Sequence, residues 1–398
     1  MDVSTSDPST QPLSGISVVD ATDEKGELCA RLLADLGADV IRLEPPAGAA
    51  ARRLPPFAPV SGASLSFALR NAGKRGATLD LASATGRSLL DRLLARADVF
   101  VESFAPAAPE LAELSPDRLL AVNPRLVITS ISDFGRFGPH AGYVGTELTG
   151  FAVGGLLYRA GAADRPPVVA PGQFAYDAAG VNAALATVLA LWQRLRTGRG
   201  QHLDVSVQES VAGFSDWSLP NYSITGQFAH RTGAGIYSLY PCADGFVRGI
   251  ILVKHHWHAL LEWMGHPAEL ADPMLESLIG RIMNQKRVDA ALAVFFADKK
   301  KIDIAVEAQR RGIPVTPLLH PGEVLANEHT LARGTFRELD VVPGEPASFP
   351  SGYFEIDGAR VGPRERAPLL GEHNREIWVE RVGLADAELE ALRAQGVI

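Results

Sequence analysis

With 398 residues, 46% of them hydrophobic, the chain is long enough for two or three domain-sized units with ample core. A net charge of −8 and a pI near 5.7 argue against non-specific binding to nucleic acid or an anionic membrane. The two cysteines, Cys29 and Cys242, cannot build a disulfide framework and sit in no CxxC or His-flanked metal spacing, which fits a reducing cytoplasm.

The first residues, Met1-Asp-Val-Ser-Thr-Ser-Asp-Pro8, are polar and acidic, and residues 1–12 read as a disordered lead without the basic and apolar regions of a signal peptide. Ile16 to Val19 is a short β-branched run. Leu28, Leu32, Leu33 and Leu36 then follow a helical pattern that stops at Gly37, and Val40 to Leu43 is a second run. This is the spacing of a parallel βαβ crossover. The alternation continues with a strand over 77–81, a helix over 86–96 and a strand over 99–101. Ser115, Pro116 and Asp117 form a helix start, and 126–130 is a further strand. Such alternation predicts an α/β fold with a doubly wound parallel sheet.

The first strand-to-helix turn, Asp20-Ala-Thr-Asp-Glu-Lys-Gly26, lacks the glycine spacing with which a dinucleotide's pyrophosphate is approached. No G-x-S-x-G elbow, Walker A sequence or H-E-x-x-H occurs, so serine hydrolase, nucleotide kinase and zincin chemistry have no support.

A turn-rich approach, Pro166 to Gly172, leads to Asp177 at the mouth of an apolar helix. In that helix Val181, Leu185, Val188, Trp192 and Leu195 recur at three- and four-residue spacing, which predicts a well-buried element ending at Gly198. Its most apolar run, from Val181 to Trp192, falls short of the ~20 residues of a membrane span, so no transmembrane segment is expected. An acidic residue at such a mouth is read first as an N-cap, whose ionised form the helix dipole favours. A strand over 202–207 follows, and 213–235, rich in Ser, Asn and Gly with single aromatics, reads as a linker between lobes. Beyond it lie a strand over 246–253 and helices over 257–264, 286–296, 302–311 and 322–327. A Pro- and Gly-containing tail closes with a helix over 386–395.

Several segments in this order resemble the family III CoA-transferases, the CaiB/BaiF group that includes formyl-CoA transferase, carnitine CoA-transferase and the α-methylacyl-CoA racemases. They are Leu13-Ser-Gly-Ile-Ser-Val-Val-Asp20, Leu33 to Pro46, Asn71-Ala-Gly-Lys-Arg75, Ser130 to Pro139, Arg196-Thr-Gly-Arg-Gly-Gln-His202, Tyr240-Pro-Cys-Ala-Asp-Gly245 and Ala367-Pro-Leu-Leu-Gly-Glu-His373. The resemblance implies a Rossmann-like large domain, residues 13–212 and 326–398 with a return linker, and a smaller α+β domain over 236–325. It further implies a ring-shaped subunit in an interlocked homodimer, in the cytoplasm.

The resemblance also implies that Asp177, within Gly172-x-x-x-Ala175-Tyr-Asp177-x-x-Gly180, is the nucleophile that attacks an acyl-CoA thioester. Glu147, in Gly145-Thr-Glu147, stands where the racemases carry a His-Asp pair. Loss of that histidine favours a transferase over an α-carbon racemase, and Glu147 itself is read either as assisting acyl transfer or as a satisfied structural carboxylate. Coenzyme A is implied as a substrate, with no permanently bound cofactor and no metal. Its phosphates are expected at Arg42, Arg53, Lys74 and Arg75, beside Phe104 and Gly138, although each cation taken alone also reads as solvated surface charge. Ala105 replaces an arginine common in the family. No glycine-rich loop of the kind that shields formyl-CoA transferase intermediates lies between Gly233 and Gly249, which points to an acid bulkier than oxalate or formate. The His255-His256-x-His258 cluster is read as an exposed helix start, and His373 as structural.

Overall fold

The βαβ spacing of the first eighty residues is realised in the computed structural model, which describes residues 11–214, 217–228, 231 and 238–398. Most of the predicted lead, and within the linker 215, 216, 229, 230 and 232–235, lie outside the described residues. Two compact units emerge. One comprises residues up to 160, 168–229 and 332–398; the other comprises 161–167 and 230–331.

The first unit is built on a six-stranded sheet of β1 (Ser17–Ala21), β2 (Asp39–Glu44), β3 (Arg75–Thr78), β4 (Val99–Glu102), β5 (Val127–Ser132) and β6 (Gln201–Ser206). All neighbours pair in parallel, in the order β3-β2-β1-β4-β5-β6. The connecting helices are α1 (Glu27–Asp35), α2 (Leu65–Asn71), α3 (Ala84–Leu94), α4 (Pro109–Glu113) and α5 (Pro116–Val122). They are followed by α6 (Glu147–Val153), α7 (Leu156–Arg159), α8 (Phe174–Thr197) and α9 (Val207–Gly213). Strand residues alternate between two cores. Val18, Val40, Val99 and Val127 pack with α1, α8 and α9, whereas Val19, Ile41, Phe100 and Ile128 pack with α3, α5 and the C-terminal residues Ile377, Trp378 and Leu389. Burial on both faces explains why these strands read as unbroken apolar runs.

The α8 pattern is corrected. Its buried side is the small-residue face, Ala175, Ala179, Ala183, Ala184 and Ala190 with Thr187, while Val181, Leu185, Leu189, Trp192 and Leu195 are exposed. The alanines and Gly180 let α8 lie close on α1. A Cβ at Gly180 would stand 3.0 Å from the Leu28 Cβ. The helix runs 24 residues, so by length and composition it could cross a membrane, yet over half of its most apolar window is buried inside the protein.

Part of the predicted linker is also regular: Ser218–Thr225 is a helix ending at Gly226 in the left-handed region. Pro220 lies in its first turn, where a missing N–H is tolerated. The second unit pairs β7 (Leu239–Cys242), β8 (Gly245–Gly249) and β9 (Val315–Pro317) as an antiparallel sheet. Trp257, Leu260, Leu292, Phe296 and Ile304 from its helices pack into one core with Val247 and Val315.

Candidate active site

In an open parallel sheet, ligands collect outside the strands' carboxyl ends where the strand order reverses, here between β1 and β4. A cavity of about 440 Å³ opens at that point, with Thr22, Asp23, Glu44, Leu79, Phe104 and Ala105 in its wall. Phe104 is held by both backbone groups: its N–H donates to Glu102 Oε2 at 2.8 Å, and its carbonyl accepts from Arg136 Nη1 at 2.9 Å. Ala105, where the family commonly has an arginine, contributes only a methyl group to this wall.

The cations expected at the CoA phosphates separate into distinct situations. Arg42 and Lys74 are corrected, because neither side chain reaches solvent. Lys74 Nζ donates to Asp20 Oδ2 at 2.8 Å, the Glu27 carbonyl at 2.9 Å and Asn71 Oδ1 at 2.9 Å. Arg42 reaches Glu27 Oε1 at 3.0 Å, Asp20 Oδ1 at 3.3 Å and the Thr22 carbonyl at 2.5 Å. This fully buried quartet of two acids and two bases pins the end of β1 to the start of α1 and to β2. Burial alone would raise the Asp20 carboxyl, but the Lys74 and Arg42 charges hold it below its ordinary value. Burial lowers the Lys74 ammonium despite Asp20. Arg75 is partly exposed and pairs with Asp39 and Glu376. Arg53 is exposed, in the same short turn (Ala50–Arg53) whose Ala50 and Ala51 line the cavity. Gly138 is exposed with a φ of 95°, on the loop after β5.

Asp177 is not the cap of α8. The helix begins at Phe174 after Gln173, whose side chain makes no capping bond, and the Asp177 N–H donates to the Gln173 carbonyl at 2.8 Å inside the first turn. Capping comes from elsewhere in the chain. Glu147 Oε1 accepts from the Ala175 N–H at 2.7 Å, and its Oε2 accepts from the Tyr176 N–H at 3.0 Å. Glu147 is also the first residue of α6, whose own cap is Thr146 accepting from the Thr149 N–H at 3.3 Å. One carboxylate thus faces the positive ends of two helices.

Released from capping, the Asp177 carboxylate forms an ion pair with the Arg70 guanidinium; the Arg70 side chain is 9% exposed and that of Asp177 41%. Arg70 lies in the last turn of α2, and the carbonyl of the preceding Leu69 accepts from Arg31 of α1. Arg31 also donates to Asp35 Oδ1 at 2.7 Å; burial pushes the Asp35 carboxyl up to about 6 against the pull of Arg31. The chain α8 on α1, α1 on α2 therefore fixes Arg70 beside Asp177. Sequence reasoning missed Arg70, and no local signal could have revealed it, since 107 residues separate the partners.

The two bonds from α8 to the Glu147 carboxylate predict a positioning effect that can be measured. Glu147→Ala is expected to lower stability by about 1–2 kcal/mol, as for loss of a helix cap, and to lower kcat roughly tenfold with little change in KM. Glu147→Gln, which keeps one acceptor oxygen, should fall between. A KM-only effect, read by steady-state kinetics beside urea unfolding, would count against positioning.

Comparison with known proteins places the whole chain in one family. The family model for CoA-transferase family III matches residues 13–374. A probable CoA-transferase of Mycobacterium tuberculosis is 34% identical over 87% of this chain, which spans only 44% of that relative's length. The BbsE subunit of succinyl-CoA:(R)-benzylsuccinate CoA-transferase from Thauera aromatica is 32% identical over 98% of each chain. A CaiB/BaiF family protein from Brucella suis has a crystal structure that superposes with a TM-score of 0.85 at 30% identity, covering 93% of this chain and 99% of that one. A parallel sheet of this order and a family match over almost the whole chain lead to one assignment: the protein belongs to CoA-transferase family III.

Proposed function

We propose that this enzyme moves CoA from an acyl-CoA to a carboxylic acid acceptor through covalent intermediates on Asp177. The observation that carries this reading is the division of labour between two carboxylates at one helix mouth. Both oxygens of Glu147 are engaged by backbone N–H groups, whereas Asp177 is partly exposed and held by a single side chain. An α-carbon racemase needs a base on each face of its substrate, and of these two carboxylates Glu147 is already tied to α8, which leaves Asp177 alone of the pair to act as one.

In the proposed sequence the Asp177 carboxylate attacks the thioester carbonyl, forming a mixed anhydride and expelling CoA thiolate. The thiolate then attacks the aspartyl carbonyl, so that CoA is held as an aspartyl thioester and the donor acid leaves as a carboxylate. The acceptor carboxylate repeats these two steps in reverse, which regenerates Asp177 and releases the new acyl-CoA. CoA is a substrate here, and the cavity at the strand ends is the proposed seat of its nucleotide end, with Arg53 at the rim. An acceptor bulkier than formate, of the aromatic kind named for the Thauera relative, fits this reading.

The test is exchange of labelled CoA between two acids, run in heavy water with hydroxylamine trapping and peptide mass analysis. Label on Asp177 supports the transferase. Deuterium at the substrate α-carbon without a trapped aspartate would replace it with the racemase.

A homodimer is proposed with it, on the exposed apolar face of α8, where Leu185 is 59%, Trp192 58% and Leu195 78% exposed. Sedimentation equilibrium returning the mass of one chain would remove this part of the reading.

A further inference from the structure

Among the described residues, Arg70 meets no acidic side chain other than Asp177. Its side chain is nearly buried, so whenever Asp177 loses its charge the guanidinium is left in a poorly solvated place without a counter-ion. The proposed reaction does this on every turnover, because an aspartyl anhydride and an aspartyl thioester are both neutral at that position.

We propose that Arg70 is the binding residue for the reacting carboxylate of the acid substrates, open to them only while Asp177 is acylated; this rests on the reading of Asp177 as the nucleophile. The charge balance supports it. One negative charge enters with Asp177 and passes to the CoA thiolate as the anhydride forms. It passes next to the donor acid's carboxylate as the thiolate attacks the aspartyl carbonyl and the acid's C–O bond to that carbonyl breaks. The departing carboxylate appears where Asp177 had been paired, and a guanidinium offers it two parallel N–H donors. When the donor acid diffuses away, the same donors receive the acceptor acid with its oxygen beside the thioester carbonyl that it must attack. The recognised group is the carboxylate that reacts, not a second carboxylate elsewhere on the substrate. Free enzyme should therefore hold acids weakly, since Asp177 occupies Arg70.

The arrangement can be tested without turnover. Asp177→Asn has the neutral charge of the acylated state, and carbon-13 acetate and formate are probes small enough to be insensitive to pocket shape. At fixed ionic strength, NMR titration should show acetate binding to Asp177→Asn roughly tenfold to a hundredfold more tightly than to the native enzyme. The double variant Asp177→Asn with Arg70→Met should lose that gain, and Asp177→Asn with Arg70→Lys should keep part of it. Circular dichroism confirms the fold of each. Equal acetate affinity in native enzyme and Asp177→Asn, or a gain that survives Arg70→Met, would overturn the proposal. Hydroxylamine trapping on native enzyme reports separately on the nucleophile: label on another residue removes Asp177's covalent role, while an acetate gain that depends on Arg70 still establishes the carboxylate site.

Discussion

Replacing Asp177 by alanine should lower CoA exchange between two acids by on the order of 10⁴-fold or more, the scale of losing a covalent nucleophile. The same change should lower stability by only about 1–3 kcal/mol, from the Arg70 guanidinium left without its partner. The two effects separate the roles open to an acidic residue at a helix mouth. A cap would show its loss mainly in stability, yet the capping here is done by Glu147, and the Asp177 side chain makes no bond to its own helix's first-turn amides. The check is a discontinuous exchange assay on purified variant beside a urea titration. Full exchange activity in Asp177→Ala would sink the covalent mechanism, whatever the stability change.

The sheet was legible because its inner strands lie buried on both faces and are bounded by turn residues, so apolar runs such as Val99 to Val101 stand out without an alignment. The α8 helix was legible in length but not in orientation. Its large apolar residues and its alanines have the same helical period, and which stripe faces inward depends on how closely α1 can approach. Large side chains were expected inside; the close contact at Gly180 selected the small ones.

The candidate site was legible only in part. Asp177 and Glu147 came from family resemblance, and their partnership, one capping the helix that carries the other, came from the crossing of α6 and α8. Arg70 had no such route, because an arginine late in a short helix reads as a surface charge until α1 and α8 are set beside it. The opposite error was made for Arg42 and Lys74. The resemblance implied both as phosphate ligands, but the buried carboxylates of Asp20 and Glu27 take them as internal partners. Asp20 shows how: its Oδ1 accepts from the Thr22 N–H at 3.0 Å and the Thr22 hydroxyl at 2.7 Å, ending the strand while its other oxygen faces Lys74.

That internal role predicts the second large effect. Lys74→Met should lower folding stability by about 3–5 kcal/mol, because it leaves the buried Asp20 and Glu27 carboxylates with Arg42 as their one cation. A phosphate ligand would behave differently: its loss would raise KM for acyl-CoA and leave unfolding in the absence of substrate unchanged. Urea denaturation of the free protein, set beside KM, decides between them, and a stable variant with KM raised tenfold would restore Lys74 to the CoA site. The charge count supplies a sharper comparison. Removing Asp20 and Lys74 together, as Asp20→Asn with Lys74→Met, leaves Arg42 and Glu27 as a balanced pair at 3.0 Å. The double variant should therefore be more stable than the sum of its single losses predicts, by about 0.5–3 kcal/mol of coupling. Strict additivity would mean that the two groups do not act on one another in the folded protein, which the 2.8 Å contact between Lys74 Nζ and Asp20 Oδ2 argues against.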